Sequence, residues 1–405
     1  MEIREFYGKE VIKMKKVSLG MFRTGNKNLE DEEAYGKILE EEDKLKGKDL
    51  VRLGYFDGDR LCASLRSDPF EVYLDGNIVK MSGIGGVVCD FNVPRKGLIK
   101  ELYIKMFEMM RERDQIVSHL YPFQANYYRK FGYEVLCKNY TWKIPTEYIP
   151  DNKDGYYVYY DGSEKMQNEI KSVYYEFAKK YNMCVIKGDT YWNSYFKNIN
   201  PYEGRRFAYL HYTDGVCDAF MQYKINSYDN KPQDLVVNDL WFTSIKAIKG
   251  ILSYFVTQKP YADKVWVKTP TNIDLSAVCE FQGGWGMKDA ICEIGYGGTS
   301  RVVDVEKIFH KVKYRGEGSV AIKIVDDIYC PWNNDTFTVS FGKKTEVKRG
   351  GTPDIVLDIK AFSAMIFGAI DFSDAQLFEN VEILGNEENL EKVFYKKNAY
   401  IDVHF

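Results

Sequence analysis

The sequence predicts an α/β (α+β) fold in several domains, and three observations point that way. The chain has 405 residues, more than one ordinary core accommodates, which indicates two or three domains. Helix and strand signals alternate along it, with Asp-Gly turns between short apolar runs. The order hairpin, strand, helix then recurs between about residues 155 and 298.

Taken in order, residues 30–46 are charged and helix-favouring, with Gly47 as a stop. Residues 50–56 and 61–66 flank Asp57-Gly58-Asp59, and residues 70–74 and 78–81 flank Asp75-Gly76-Asn77, which predicts two hairpins. Val87-Val88-Cys89 is a short apolar strand, and Arg95-Lys96-Gly97-Leu98 opens a helix. In that helix Leu98, Leu102 and Met106 lie one turn apart, as do Ile99, Tyr103 and Phe107. Lys100, Glu101, Lys105, Glu108 and Glu112 take the opposite face. Residues 114–120 return as a strand. Pro145, Pro150 and the polar stretch 151–155 mark a boundary.

The second region has an amphipathic helix on Met166, Ile170, Val173 and Phe177 and a hairpin at Asp214-Gly215. A strand at 235–240 then leads into a helix carrying Ile245, Ile248, Ile251, Leu252 and Phe255. No basic glycine turn sits between that strand and helix, so it reads as a degenerate repeat of the first. A loop at 295–300 precedes a third region with strands at 319–326 and 336–341, helices near 361–368 and 390–395, and an apolar tail ending in Phe405.

Charge is nearly balanced, 56 basic against 59 acidic residues for a net −3, which argues against a general nucleic-acid or membrane-surface protein. The first residues carry acid with no apolar run behind them, and the longest apolar runs are too short to span a bilayer, so a cytoplasmic protein is expected. The 8 cysteines are scattered singly and the 4 histidines likewise, which predicts reduced thiols and no metal site. With 32 Tyr and 24 Phe the composition suits wide packed sheets.

The stretch from Val87 to Tyr133 is the most specific. A strand, a basic turn with one glycine and a helix start present backbone N–H groups at the positive end of a helix dipole, a place for a pyrophosphate. About 30 residues beyond Gly97 comes Tyr127-Tyr128-Arg129-Lys130-Phe131-Gly132-Tyr133.

On Val87-Val88-Cys89, Arg95-Lys96-Gly97-Leu98-Ile99, Tyr128-Arg129-Lys130-Phe131-Gly132-Tyr133, Arg301-Val302-Val303-Asp304-Val305 and a terminal Phe405, the chain resembles the GNAT superfamily of acyl-CoA-dependent N-acetyltransferases. Its whole layout is similar to the enhanced-intracellular-survival (Eis) branch. The resemblance implies a GNAT domain at 1–150 binding acetyl-CoA, a degenerate GNAT-like domain at 151–298, and a sterol-carrier-protein-like α+β domain at 299–405. One departure is Pro94, three residues before the motif glycine, where the superfamily has Gln or Arg and where proline offers no N–H.

Acetyl transfer to an amine requires a bound thioester, a deprotonated amine, a donor for the developing oxyanion and an acid for the thiolate. The resemblance assigns the pyrophosphate to the amides of Arg95, Lys96, Gly97, Leu98, Ile99 and Lys100. It assigns pantetheine and thioester to the strand edge at Val87, Val88 and Cys89, and the thiol end to Phe123 and Gln124. Tyr128 is the expected general acid; no His, Asp or Glu near the motifs offers itself as base, and the resemblance implies that the terminal carboxylate of Phe405, its pKa raised by an apolar setting, does that work. Cys89 reads as a small strand residue and His119 as a strand-end structural one; His404 at most shapes the acceptor pocket. The expected acceptors are primary amines of cationic small molecules, aminoglycoside- or polyamine-like, with the acidic stretch at 30–33 and Asp402 as candidate contacts. A homo-oligomer, by resemblance a hexamer, is expected. The competing readings are a protein or peptide lysine acetyltransferase and a non-enzymatic carrier of apolar ligands through the third domain.

Overall fold

The computed structural model describes residues 1–405 apart from 23–25, 47–49, 94–96, 203–205, 227–232, 282–288 and 404–405, and apart from the side chains of 22, 45 and 46. The first segment contains β1 (Glu2–Glu5), α1 (Val11–Phe22), α2 (Glu32–Lys46), β2 (Val51–Asp57), β3 (Arg60–Leu74), β4 (Asn77–Cys89), α3 (Leu98–Glu112), β5 (Gln115–Leu120), α4 (Ala125–Arg129) and β6 (Glu134–Val135). The second contains β7 (Lys138–Pro145), β8 (Tyr156–Tyr159), α5 (Glu164–Ala178), α6 (Asp189–Asn198), β9 (Phe207–Thr213), β10 (Val216–Asn226), β11 (Gln233–Phe242), α7 (Ile245–Ser253), β12 (Ala262–Pro270) and β13 (Ile291–Tyr296). The last contains β14 (Thr299–Val302), α8 (Val305–Phe309), β15 (Gly318–Val325), β16 (Thr336–Phe341), β17 (Glu346–Arg349), β18 (Ile355–Asp358), α9 (Ile359–Ile366), β19 (Val381–Ile383) and α10 (Glu387–Val393).

These elements build three sheets, ordered β1-β2-β3-β4-β5-β14-β6, β13-β7-β12-β11-β10-β9-β8 and β17-β16-β15-β18-β19. The fold is thus mixed α/β, built on two seven-stranded sheets and one five-stranded sheet, one sheet for each of the three expected regions. Two compact units contain them: Met1–Leu136 with Gly298–Lys397 and Asp402–Phe405, and Cys137–Gly297 with Asn398–Ile401. Strand β7 belongs to the second sheet although it falls within 1–150. Strand β14, the first of the last segment, completes the first sheet between β5 and β6.

The two hairpins expected near the start are longer than their apolar runs suggest. Strand β3 continues unbroken through Ser67-Asp68-Pro69, a polar stretch that reads as a loop. Its polar groups are met within the sheet. Ser67 and Ser82 share a buried hydroxyl contact of 2.6 Å, and Arg66 pairs with Asp68 at 2.5 Å.

The periodic helix forms over Leu98–Glu112 as its pattern predicts, burying Leu98, Ile99, Leu102, Tyr103, Met106, Phe107, Met109 and Met110. That face packs on Leu53, Ala63, Leu65, Ile84 and Val87 of the first sheet and on Tyr128, Phe131 and Tyr133. Each fully buried Leu, Met or Phe there contributes about 1.5–3 kcal/mol. The opposite face of the sheet takes α1 and α2 through Val11, Ile12, Met14, Tyr35 and Leu39. No helix among the described residues is long and apolar enough to cross a membrane.

Candidate active site

Strands β4 and β5 run parallel from Lys80↔Gln115 to Ile84↔Leu120, and there the pairing ends. Strand β4 continues alone on that side through Gly85, Gly86, Val87, Val88 and Cys89, while its other side stays paired to β3 through Ser64↔Val88 and Ala63↔Cys89. Between Arg66↔Gly85 and Ser64↔Val88 the ladder shifts by one residue, a bulge with Gly86 at φ +58. A bulge bends its strand and re-aims backbone groups, and glycine admits the positive φ without strain. The stretch Val87-Val88-Cys89 thus lies beyond the pairing with β5, and its edge on that side suits an extended, amide-bearing ligand.

The chain leaves β4 in a turn organised by Asp90, whose carboxylate accepts the Asn92 N–H at 2.9 Å and pairs with Arg60 at 2.6 Å. The Asn92 N–H first, then Arg60, holds this carboxyl below its usual range. Arg95 and Lys96, with Pro94, lie outside the described residues. Gly97 is the N-cap of α3 at φ +77, ψ 18, without a side-chain cap. The first helical bonds run from the Lys100 and Glu101 N–H groups back to the Gly97 carbonyl at 2.8 and 3.3 Å. The preceding amides of Leu98 and Ile99 therefore have no carbonyl within the helix, at the positive end of its dipole. Among the described residues, its chain neighbours apart, no atom lies within 4 Å of where a Gly97 Cβ would stand. An open strand edge leading to an uncapped helix start fits a long cosubstrate with amides along its arm and a pyrophosphate at its end.

Past β5 the chain runs through Tyr121 and Pro122 to Phe123, which is 59% exposed, and Gln124, the N-cap of the five-residue helix α4. Tyr128 lies in α4 and is 4% exposed. Its ring stands edge-on to Phe123 at 5.7 Å and to Tyr127 at 5.0 Å. Among the described residues its hydroxyl has no hydrogen-bond partner. Burial, with Tyr127 adding to it, pushes the phenol well above its ordinary value of about 10. Arg129 grips Glu134 through two hydrogen bonds of 2.8 and 2.7 Å. Gly132 at φ +83 lets the Phe131, Gly132 and Tyr133 amides close the turn.

The structure brings Val87, Val88, Cys89, Gly97, Leu98, Ile99, Phe123, Gln124 and Tyr128 into one unit around the β4–β5 opening; Lys100 is exposed on the first turn of α3. Phe405 and His404 lie outside the described residues. The last described residue, Val403, accepts a hydrogen bond at its carbonyl from the Tyr121 hydroxyl, one residue past the end of β5. His119 is wholly buried, its Nδ1 2.7 Å from the Ser300 hydroxyl. The acidic stretch is engaged locally: Asp31 accepts the Ala34 N–H at 3.0 Å, Glu32 pairs with Lys16 and Glu33 with Lys37. Among the described residues no group of three His, Cys, Asp or Glu is placed to hold a metal.

Sequence reasoning did not single out Gly86, Tyr121 or Asp327. Only Gly86 has a local signal, as half of a Gly-Gly pair inside a strand.

Residues 3–136 match the family described as an acetyltransferase (GNAT) domain, and residues 305–402 the family described as a sterol carrier protein domain. With the open strand edge and the uncapped helix start, this defines the class: an N-acetyltransferase with a GNAT domain over residues 3–136 and a sterol carrier protein domain over residues 305–402. The architecture extends over the whole length of solved relatives. A GCN5-related N-acetyltransferase from Anabaena variabilis is 18% identical with a TM-score of 0.81, both chains being covered fully. A probable N-acyltransferase from Enterococcus faecalis is 19% identical at 0.81, with 100% of this chain and 99% of that one covered. Eis1 from Mycobacterium abscessus is 17% identical at 0.80, both chains again covered fully. At these identities the likeness is one of fold. No curated protein matches the sequence.

Proposed function

We propose that the chain is an Eis-type enzyme that moves the acetyl group of acetyl-CoA onto a primary amine of a cationic small molecule, aminoglycoside- or polyamine-like. The observation that carries this reading is the parting of β4 from β5 after Ile84↔Leu120, with Tyr128 in the same buried cluster as Val87 and with Gly97 at the helix start. When bound, acetyl-CoA supplies an acyl group activated as a thioester. The amides of Gly97, Leu98 and Ile99, with Arg95 and Lys96 before them, hold its anionic end; the Lys100 amide is already bonded to the Gly97 carbonyl, so Lys100 contributes through its exposed side-chain charge. The β4 edge at Val87, Val88 and Cys89 orients the pantetheine arm and offers one N–H to the carbonyl oxygen; such a donor is worth about 2.7–4 kcal/mol. Phe123 and Gln124 border the sulphur end.

Tyr128 keeps its proton at Oη and gives it to the departing sulphur as the C–S bond breaks and the N–C bond forms. The amine loses one proton to the carboxylate at Phe405, so one proton enters and one leaves the reacting groups. The Tyr121–Val403 hydrogen bond supports that role, because it ties the backbone two residues before Phe405 to the end of β5. The same reading includes a homo-oligomer, with a hexamer as the assembly to test by light scattering. Strand β13, at the edge of the second sheet, exposes Ile294 (60%) and Tyr296 (68%), as a strand awaiting a neighbour would.

The test is thiol release from acetyl-CoA with aminoglycosides, polyamines and lysine peptides as acceptors. Turnover with the first two classes and not the third is expected. Turnover confined to lysine peptides would replace the acceptor class, and no thiol release with any amine would remove the reading. The apolar stretch on which the carrier reading drew, Met365, Ile366 and Phe367, is wholly buried as core of the last segment.

A further inference from the structure

We propose that Arg301 is a positioning residue for Tyr128: its guanidinium fixes the turn behind α4 and thereby aims the phenol. This rests on the reading of Tyr128 as the acid. Arg301 reaches the acetyltransferase segment on β14, a strand from beyond the second sheet. It is wholly buried, as is its partner Asp327, at 0% and 1% exposure. The three nitrogens of the guanidinium take three different acceptors. Nη1 donates to the Phe131 carbonyl at 2.6 Å, Nη2 to the Asp327 carboxylate at 2.6 Å, and Nε to the Val302 carbonyl at 3.1 Å. The plane lies over the Phe107 ring at 4.5 Å.

The Phe131 carbonyl belongs to the turn that holds Tyr128. Both the Phe131 and the Tyr133 amides donate to the Tyr128 carbonyl, at 2.9 and 3.3 Å, so residues 128 to 133 form one closed unit. Helix α4 has only five residues and no side-chain cap at its start, too little to fix its own direction. The turn packs tightly on the arginine. A Cβ on Gly132 would stand 2.6 Å from Arg301 Nη1 and 2.8 Å from Ile359 Cγ2, besides the strain of φ +83.

Asp327 is itself anchored, accepting the Cys330 N–H at 3.1 Å and the Asn333 amide at 3.0 Å. A buried ion pair is a poor source of stability, since apolar side chains of like volume do as well. Its forked geometry does give direction, which a lysine cannot reproduce. The sterol-carrier-like segment thereby acquires a part in the chemistry: it supplies the fixed end of the strut behind the acid.

The experiment is a cycle. Arg301→Lys and the charge-free pair Arg301→Met with Asp327→Leu are each made in the natural chain and in Tyr128→Phe, and kcat, KM for acetyl-CoA and thermal unfolding are measured. In the natural background kcat is expected to fall on the order of 10- to 100-fold with KM for acetyl-CoA nearly constant. In Tyr128→Phe the same changes should leave the residual kcat nearly unmoved, because the group they aim is gone. The charge-free pair preserves a folded chain if Arg301→Lys alone does not. Equal losses in both backgrounds, or an unchanged kcat in the natural one, overturn the inference while leaving Tyr128 as the acid. A Tyr128→Phe variant with full kcat removes the acid, and the inference with it.

Discussion

The two halves of the molecule contain the same strand–helix–strand crossing, and they differ where a cosubstrate would touch it. In the first, β4 outlasts its parallel pairing with β5 after Ile84 and carries a bulge at Gly86; in the second, β11 outlasts β12 after Val236 and is bulged where Gln222↔Asp239 is followed by Tyr223↔Val237. The two scaffolds are therefore alike down to a backbone irregularity. The helix starts differ. Gly97 begins α3 in the left-handed region with no side-chain cap, whereas Ser244 begins α7 at φ −154 and its own hydroxyl accepts the Ala247 N–H at 3.1 Å. The first crossing starts its helix without a side-chain cap; the second satisfies one of its amides internally. The strand ends differ as well. Val87-Val88-Cys89 is small, while Trp241 and Phe242 are large and sit in an aromatic cluster with Tyr174 at 4.8 Å and Phe177 at 5.3 Å. The wholly buried Trp192 and the ammonium of Lys187, 4.4 Å from the Trp241 ring, fill the same region. Large buried rings thus pack the strand end of the second crossing, where the first carries only Val87, Val88 and Cys89.

If that difference is functional, conservative changes in the two crossings must act on different quantities. The largest expected effect is that of Tyr128→Phe, a fall in kcat of about 10²–10⁴-fold with the acetyl-CoA KM nearly kept, read by thiol release. A tyrosine that packs on the second crossing from α6 gives the contrast: Tyr195→Phe removes a hydroxyl 2.9 Å from Asp239 of β11 and should lower stability by about 1–3 kcal/mol without touching kcat. A rate loss there would erase the distinction. Next in size is Gly97→Val, which forces a branched side chain to φ +77 at a cost of about 1–3 kcal/mol. Relief of that strain disorders the helix start, so the acetyl-CoA KM should rise about tenfold while kcat at saturation changes less. An unchanged KM would take the pyrophosphate away from this helix.

The pH profile sharpens the role of Tyr128. Burial raises its phenol above the ordinary value of about 10, and the acid acts in its protonated form, so its ionisation should cause no fall in kcat up to that pH. The sign for stability is the same: the protonated phenol's contribution is complete below the unfolded value and is lost as pH rises through the higher folded one. A falling limb near pH 9 that disappears in Tyr128→Phe would contradict this.

Much of the first crossing is legible in the sequence because its signals are local. Leu98 to Phe107 keep a helical period, Gly97 punctuates the strand–helix turn, and the Tyr128–Tyr133 motif lies at a fixed remove. The loss of the cradle in the second crossing is legible too, since no basic glycine turn precedes Ile245. What could not be read is long-range. Thr299–Val302 pairs with residues about 180 positions earlier, and nothing in its own composition says which sheet it joins. Ser67-Asp68-Pro69 looks like a loop until Ser82 and Arg66 satisfy it across and along the strand. Arg301 was visible as part of a motif, but its strut needs Asp327, which sits in an unremarkable polar stretch and is defined only by the space it shares.

The smallest effect belongs to the cap that distinguishes the second crossing. Ser244→Ala leaves the Ala247 amide without its acceptor at the start of a nine-residue helix whose Ala247, Ile248, Ile251 and Leu252 are buried. Loss of such a cap typically costs about 1 kcal/mol, and Ser244→Gly only a few tenths, because glycine lets water reach the amides. Thermal unfolding should therefore rank the natural chain above Ser244→Gly and that above Ser244→Ala, while thiol release and the acetyl-CoA KM stay as they were. The silence in kinetics is the informative half. If freeing this helix start raised affinity for acetyl-CoA or for free pyrophosphate, the second crossing would be a cradle closed by one hydroxyl. If it does not, the large rings around Trp241 are sufficient by themselves to bar the cosubstrate, and the serine serves only the helix it begins.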